Sequence, residues 1–308
     1  MIAGPTASGK TALSVALGKL LDGEVISADS MQLYRGMDVG TAKVTAAEMD
    51  GIPHHMLDVA EPEEGFSAAR YVEMADPILR DILARGKTAI VAGGTGLYVD
   101  ALIQGRTFAP CPATGKREAL EQEAEERGMD YMLKQLWAVD PDSAARLHLS
   151  DRKRILRALE VYQETGKTIT AHNLETQTLP DRYRPVWIGL DFKDRQDLYA
   201  RIDRRVDNML AQGLLQEIQS LVDRGLSSDC TAMQAIGYKE FLPMLTEGAD
   251  LSEAVELVKR GSRRYAKRQL TWFRRNPRIH WILQSDPPDL KTVVREALSH
   301  IPFFDGSL

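Results

Sequence analysis

Gly4-Pro5-Thr6-Ala7-Ser8-Gly9-Lys10-Thr11 opens the chain, with only Met1-Ile2-Ala3 before it and a helix-period run over residues 11–21 after it. An apolar stub, a glycine-bounded loop of the form G-x-x-x-x-G-K-[ST] and a helix, in that order, decide the fold. The glycines let the backbone wrap so that several N–H groups point inward at phosphate oxygens. The following helix adds the positive end of its dipole. Lys10 supplies a mobile cation, and the Thr11 hydroxyl is a candidate Mg²⁺ ligand. Gly4, Pro5, Thr6, Ala7, Ser8, Gly9, Lys10 and Thr11 are therefore candidate phosphate-binding residues. A nucleoside triphosphate such as ATP is the default ligand. A diphosphate leaving group on another molecule fits the same cradle. Three residues before the loop leave room for only a short first strand.

Outward from the loop, branched apolar runs read as buried strands at 24–27, 88–92, 186–190 and 279–283. Helix-period segments lie at 11–21, 68–85, 198–224 and 251–274. Strands alternating with helices imply a parallel sheet covered on both faces. Residues 105–185 hold helical patterns and no convincing strand. They are bounded by Pro110, Pro112 and Gly115 on one side and by Pro180 and Pro185 on the other. The expected organisation is a phosphate-loop α/β core over 1–104 and 186–308, interrupted by a helical insertion over 105–185. At 308 residues and 44 % hydrophobic, the chain can bury a sizeable core and is no disordered polymer. Two Cys cannot build a disulfide framework, so Cys111 and Cys230 read as ordinary thiols of a reduced, cytoplasmic protein. No apolar run is long enough for a membrane span.

Two further segments face the same side of such a sheet, because ligands of open parallel sheets bind beyond the carboxyl ends of strands. Asp29, just after the 24–27 strand, is a Mg²⁺ ligand, a general base or a turn-forming Asp. Gly93-Gly94-Thr95-Gly96 follows another strand, where glycines permit close backbone approach and Thr95 can hydrogen-bond a ligand. His54 and His55 lack the spacing of a zinc helix and read as structural.

The net charge of −5 argues against a nucleic-acid partner, but it averages unlike regions. Residues 257–285 contain no Asp or Glu and nine cations: Lys259, Arg260, Arg263, Arg264, Lys267, Arg268, Arg274, Arg275 and Arg278. That leaves −14 for the rest of the chain. Most of the nine recur along one helical face, opposite a stripe of Val255, Val258, Ser262, Tyr265, Ala266, Gln269, Leu270 and Phe273. A solvated helix normally intersperses acids, so this face points to a polyanion. Arg152-Lys153-Arg154 with Arg157 forms a second cluster. Tyr238, Trp272 and Phe273 are either base-stacking platforms or core.

These strings together resemble the tRNA dimethylallyltransferase, or tRNA isopentenyltransferase, family of bacterial type. The match runs from the phosphate loop through residues 27–43, Pro53-His54-His55 and Ala92-Gly93-Gly94-Thr95-Gly96-Leu97-Tyr98. It continues through Arg157-Ala158-Leu159-Glu160-Val161, Gln234-Ala235-Ile236-Gly237-Tyr238-Lys239 and Lys267-Arg268-Gln269-Leu270-Thr271-Trp272-Phe273-Arg274, covering nearly the whole chain. The resemblance implies a P-loop kinase-like core and transfer of dimethylallyl from its diphosphate to N6 of the adenosine at tRNA position 37, with Mg²⁺. It implies that Asp29 is the general base, that Thr11 steadies the diphosphate with Lys10 beside it, and that Arg201 or Arg205 binds the diphosphate. The tRNA contacts it implies are Asp29, Ser30, Met31, Gln32, Thr95, Arg117, Lys153, Arg154, Arg157, Gln234, Gly237, Tyr238, Lys239, Lys267, Arg268 and Arg274. The expected partners are the anticodon stem-loop and dimethylallyl diphosphate, acting on a monomer with no membrane contact. The family commonly has His-Pro-Asn-Asp where this chain has His148-Leu149-Ser150-Asp151. The rival readings are a small-molecule phosphotransferase, a nucleic-acid-binding ATPase, and a prenyltransferase acting on a free adenine nucleotide.

Overall fold

The short first strand sits at the centre of the sheet. In the computed structural model, which describes residues 1–109, 114–177 and 180–302, β1 is Ile2–Ala3. It pairs in parallel with β4 (Thr88–Gly93) and β5 (Trp187–Phe192), so that Ile2 lies opposite Ala92 on one side and Ile188 on the other. With β2 (Gly23–Ser27), β3 (His54–His55) and β6 (Ile279–Gln284), the order is β3-β2-β4-β1-β5-β6, all parallel. The chain leaves β1 toward β2 on one side and later adds β5 on the other. The loops at the carboxyl ends of the strands diverge at that switch point and open a crevice. Every residue of β5 is buried, as expected of a strand covered on both faces.

The chain forms two compact units, Met1–Leu102 with Arg184–Leu308, and Ile103–Tyr183. In the first, the Lys10–Leu20 and Leu290–Ser299 helices pack with the sheet through Leu13, Leu17, Val293, Val294 and Leu298 against Ile2, Ile188 and Ile282. A second cluster joins Phe192 of β5 to Leu198 and Ile202 of the Arg195–Ala211 helix and to Ala266 and Leu270 of the Leu251–Phe273 helix. Each such Leu or Ile, fully buried, contributes about 1.5–3 kcal/mol relative to exposure. The second unit holds the Lys116–Arg127, Met129–Val139, Arg152–Thr165 and Ile169–Gln177 helices, and no strand among the described residues. Its own core gathers Leu120, Met132, Leu136, Ile155, Leu156 and Leu159.

Two elements differ from the sequence reading. The helix expected over 198–224 is broken into Arg195–Ala211 and Leu214–Asp223, because Gly213 adopts φ 98°, a left-handed conformation that glycine takes without strain. The two-residue β3 is too short to show periodicity. His55 Nε2 meets Glu24 Oε2 at 2.9 Å, and His54 Nδ1 meets the Ile52 carbonyl at 2.8 Å, so both histidines tie the sheet edge together. Among the described residues no cluster of three His, Cys, Asp or Glu could hold a metal, and no helix is long and apolar enough to cross a membrane. Cys111, with Pro110 and Pro112, lies outside the described residues; Cys230 is a free thiol.

Candidate active site and nucleic-acid interface

The phosphate loop is held open from outside. Gly4 has φ 151°, and a Cβ there would stand 2.7 Å from the Leu190 carbonyl, so only glycine fits. Arg201 Nε donates to the Ala7 carbonyl at 3.0 Å, and Gln284 Nε2 donates to the Ser8 carbonyl at 3.0 Å. The Thr6 N–H is taken by Gln269 Oε1 at 2.9 Å. The remaining N–H groups of Gly9, Lys10 and Thr11, at the start of the Lys10–Leu20 helix, find no partner among the described residues. The Ser8 hydroxyl is wholly buried and also unpartnered. Unpaired donors gathered at a helix N-terminus are what an anion would satisfy.

Lys10 bends back over this cradle, donating to the carbonyls of Gly4 (3.1 Å) and Pro5 (2.7 Å). Burial, with the nearby positive charge of Arg205 adding and Asp29 opposing, lowers its ammonium from the usual lysine range to about 7. The two candidate arginines differ in their partners. Arg201 is spent on Ala7 and on Asp286, at 3.0 Å each. Arg205, one helical turn on, has among the described residues a single hydrogen bond, from Nη2 to the Thr41 carbonyl (3.1 Å), and its charge is felt at Lys10. Burial lowers the Arg205 guanidinium while the Asp29 charge supports it, so Lys10, Arg205 and Asp29 share one crevice.

Asp29 takes one of the roles open to it in sequence, that of a turn-forming Asp. Its Oδ1 accepts from the N–H groups of Met31 (2.9 Å) and Gln32 (3.4 Å), an Asx turn that orients the carboxylate. Its Oδ2 accepts nothing from the described residues. Ser30 N–H donates to Thr95 Oγ1 at 3.0 Å, and Thr95 N–H to the Ala28 carbonyl at 3.1 Å, so Thr95 locks the end of β4 to the Asp29 turn. The Gln32 amide is engaged with Ser27 and with the Thr41 and Ala42 carbonyls. Two tyrosines with no site role in the sequence reading, Tyr98 and Tyr265, stand near Asp29. Tyr98 stacks on Tyr71 with ring centroids 4.3 Å apart. Tyr265 is pushed up to about 12, first by burial and then by the Asp29 charge.

The three glycines of the 93–96 loop serve protein packing rather than ligand approach. A Cβ at Gly93 would strike the Ala28 backbone at 2.2 Å, one at Gly94 the Gln269 amide at 2.0 Å, and one at Gly96 the Trp272 ring at 2.2 Å. Trp272 Nε1 donates to Asp100 at 2.9 Å. The Leu251–Phe273 helix thus docks its Gln269 and Trp272 onto this loop.

On the other side of that helix, Arg260, Arg264, Lys267, Arg268 and Arg275 are exposed and form no ion pair among the described residues. The helix's acid relief comes from its neighbours: Lys259 pairs with Asp207 (2.7 Å), Arg263 with Asp203 (2.6 Å), and Arg274, beyond the helix end, with Asp191 of β5 (2.8 Å). Gln234 and Lys239 are exposed, and Gly237 is buried. Tyr238 and Phe273 are withdrawn from any partner, being buried at 0 % and 2 % exposure. Tyr238 lies over Gly40 and donates to Glu217 Oε1 at 2.6 Å. The Glu217 carboxylate in turn receives the N–H groups of Asp38, Val39 and Gly40 at 2.7–2.9 Å, fixing the turn that carries Thr41. The contact role expected for Tyr238 is therefore replaced by a scaffolding one.

In the helical unit, Arg117 and Arg157 converge on the buried Glu160, at 3.8 and 3.0 Å. Arg154 pairs with Asp151 while staying largely exposed, and Lys153 is exposed and forms no ion pair among the described residues. Asp151 also accepts the His148 N–H at 3.0 Å, so the departing His148–Asp151 segment still closes a tight turn.

A parallel α/β core with an N–H cradle, a free carboxylate oxygen and a row of exposed cations defines a phosphate-handling protein with a polyanion-binding face. Comparison with known proteins narrows this class. The family model described as IPP transferase matches residues 32–276. The tRNA dimethylallyltransferase of Geobacillus thermodenitrificans is 48 % identical over 98 % of this chain and 95 % of its own. That of Thermoanaerobacter sp. (strain X514) is 44 % identical over 98 % and 96 %. The crystal structure of the tRNA isopentenylpyrophosphate transferase from Bacillus halodurans superimposes with a TM-score of 0.72 at 44 % identity, covering 97 % of this chain and 93 % of that one. A eukaryotic dimethylallyltransferase acting on tRNA gives 0.80 at 32 % identity, covering 96 % and 77 %. The chain belongs to the IPP transferase family.

Proposed function

We propose that this protein transfers a dimethylallyl group from dimethylallyl diphosphate to N6 of the adenosine at tRNA position 37, releasing diphosphate. The observation that carries the reading is the cradle of unpaired loop N–H groups beneath Lys10, with Arg205 and Asp29 near enough for their charges to act on that lysine.

The diphosphate lies in the loop, where N–H groups, Lys10 and Arg205 stabilise the charge that grows as the C–O bond breaks. The allylic carbon carries part of the positive charge, so no covalent enzyme intermediate is needed. The exocyclic adenine amine is a poor nucleophile, because its lone pair is delocalised into the ring. Asp29 Oδ2 takes its proton as the C–N bond forms, a contribution of roughly 10²- to 10⁴-fold. The base leaves the anticodon-loop stack to reach the crevice, at a cost of a few kcal/mol. The exposed cations Lys267 and Arg268 on the basic helix, and Lys153 and Arg154 in the helical unit, bind the stem-loop backbone, with Gln234 and Lys239 adding to the first set.

The residues present suit Mg²⁺. The Thr11 hydroxyl is exposed beside the cradle and makes no hydrogen bond with described residues, and the available donors are hard oxygens too few to form a cage. Such a site leaves the ion to take phosphate oxygens and water, which Mg²⁺ prefers. When bound, the ion would be held by Thr11 and would neutralise diphosphate charge.

The test is incubation of the protein and Mg²⁺ with unmodified tRNA and either dimethylallyl diphosphate or ATP, followed by digestion and mass spectrometry. Prenylated adenosine from dimethylallyl diphosphate alone is the expected product. Phosphorylated product and ADP, or prenylation only of a free nucleotide, would replace this reading.

A further inference from the structure

Gln269 comes from the helix that presents the exposed cations, yet its side chain points the other way, to 5 % exposure. Its Oε1 accepts the Thr6 N–H of the phosphate loop at 2.9 Å, and its Nε2 donates to the Gly94 carbonyl at 3.0 Å. The loop after β1 and the loop after β4 are thus joined by one carboxamide. Gly94 is glycine because the Nε2 stands where a Cβ would be. Gln284, 6 % exposed at the end of β6, holds the same phosphate loop at the Ser8 carbonyl.

We propose that Gln269 is a positioning residue for the diphosphate site, a neutral strap that orients the phosphate loop from the RNA-facing helix. The residue type follows from the geometry. The strap must accept from an N–H and donate to a C=O at once, which an amide does and neither a carboxylate nor an ammonium does. It must also be uncharged. A carboxylate beside the loop repels the incoming anion, and a cation competes with the Thr6 N–H as a second donor. Satisfying the Thr6 N–H and the loop's outward carbonyls from outside leaves the inward N–H groups of Gly9, Lys10 and Thr11 aimed at one point before the ligand arrives. Such preorganisation is where binding and leaving-group stabilisation are gained. Because the strap is anchored in the helix carrying Lys267 and Arg268, the two substrate surfaces are parts of one rigid element.

The proposal rests on the transferase reading for its meaning, but the test does not require transfer. Binding of inorganic diphosphate and of an anticodon stem-loop RNA is measured separately by calorimetry for the parent protein, Gln269→Met and Gln269→Glu. Gln269→Met, close in shape, is expected to weaken diphosphate binding about tenfold at every pH while RNA affinity stays within twofold. Gln269→Glu is expected to weaken it more at pH 8 and to recover toward the parent near pH 5.5. There the introduced carboxyl is protonated, neutral, and again both donor and acceptor. Repulsion by the ionised carboxylate gives a pH dependence of its own, so the strap is read from the uncharged Met variant. Rescue at pH 5.5 to an affinity above that of Gln269→Met is what a packing role alone does not produce. Diphosphate affinity in Gln269→Glu equal to the parent's across this range, or equally reduced at both pH values, would overturn the strap. A parent protein that binds diphosphate but prenylates no tRNA would overturn the function and leave the strap standing.

Discussion

Asp29, the base of the proposed mechanism, uses its two oxygens differently. One is spent on the Met31 and Gln32 N–H groups and the other is left to the crevice. Asp29→Ala is expected to slow single-turnover prenyl transfer by roughly 10²- to 10⁴-fold while tRNA affinity is retained. Rapid-quench kinetics with saturating RNA measures it, and an unchanged rate would remove the general base. Lys10 makes a second prediction at this scale. With the ammonium lowered to about 7 by burial and by Arg205, a growing share of the free protein holds neutral Lys10 as pH rises above 7. A bound diphosphate restores the charge, so binding takes up a proton and affinity falls as pH rises beyond 7. Titration calorimetry in buffers of different ionisation heat should show the uptake, and Lys10→Met should lose it.

At the scale of elements, the basic helix is bipolar across its width. Its inner edge is neutralised by Asp203 and Asp207, and its outer edge is bare. The acids missing from residues 257–285 stand on the Arg195–Ala211 helix, a pairing that no local window displays. Arg263, one of the row in sequence, is therefore a poor reporter of RNA binding. Reversal of the unpaired Arg264 and Arg268 to Glu is expected to weaken tRNA binding at least tenfold at 0.1 M salt and to flatten its dependence on salt concentration. Filter binding across salt concentrations measures this, and unchanged affinity at each one would take the outer edge out of the interface. The strands and this helix were legible because their patterns are local: β5 opens on the apolar run Trp187-Ile188-Gly189-Leu190, and the helix repeats at 3.6 residues. The choice of Arg205 over Arg201 was not, since both sit one turn apart on the same helix and only their distant partners distinguish them. Gln269 reads as one more residue of an apolar stripe, and its partner Thr6 lies 263 positions away. Gly213 was visible, but a lone glycine inside a helical pattern does not announce a break until its φ is known.

For the whole molecule, the parallel sheet depends on an ion cluster at its base. Glu24, with 5 % of its side chain exposed, receives both Arg85 Nη atoms at 2.5 and 2.9 Å, with His55 and Lys87 nearby. The Arg85 hydrogen bonds are the main reason its carboxyl falls to about 2, against burial, which pulls the other way. A lowered folded pKa means stability that is fully present above the unfolded carboxylate value and lost as pH falls toward 2. Glu24→Gln is expected to cost about 2 kcal/mol at pH 7. The gap between variant and parent should close as pH drops below about 4, as followed by urea denaturation. A constant gap would mean that shape rather than charge accounts for the loss. The fold's single switch point also explains why the phosphate loop, Asp29 and Thr95 could be placed together from sequence: each follows a strand at the same sheet edge.

Glu217 offers three successive backbone donors, those of Asp38, Val39 and Gly40, a carboxylate that never leaves. Covalently tethered, it acts as a competitor at a standing local concentration in the millimolar range or above, which dissolved phosphate does not match. A polyphosphate therefore meets no open donors at the Asp38–Gly40 turn and should titrate the phosphate loop with a stoichiometry of one.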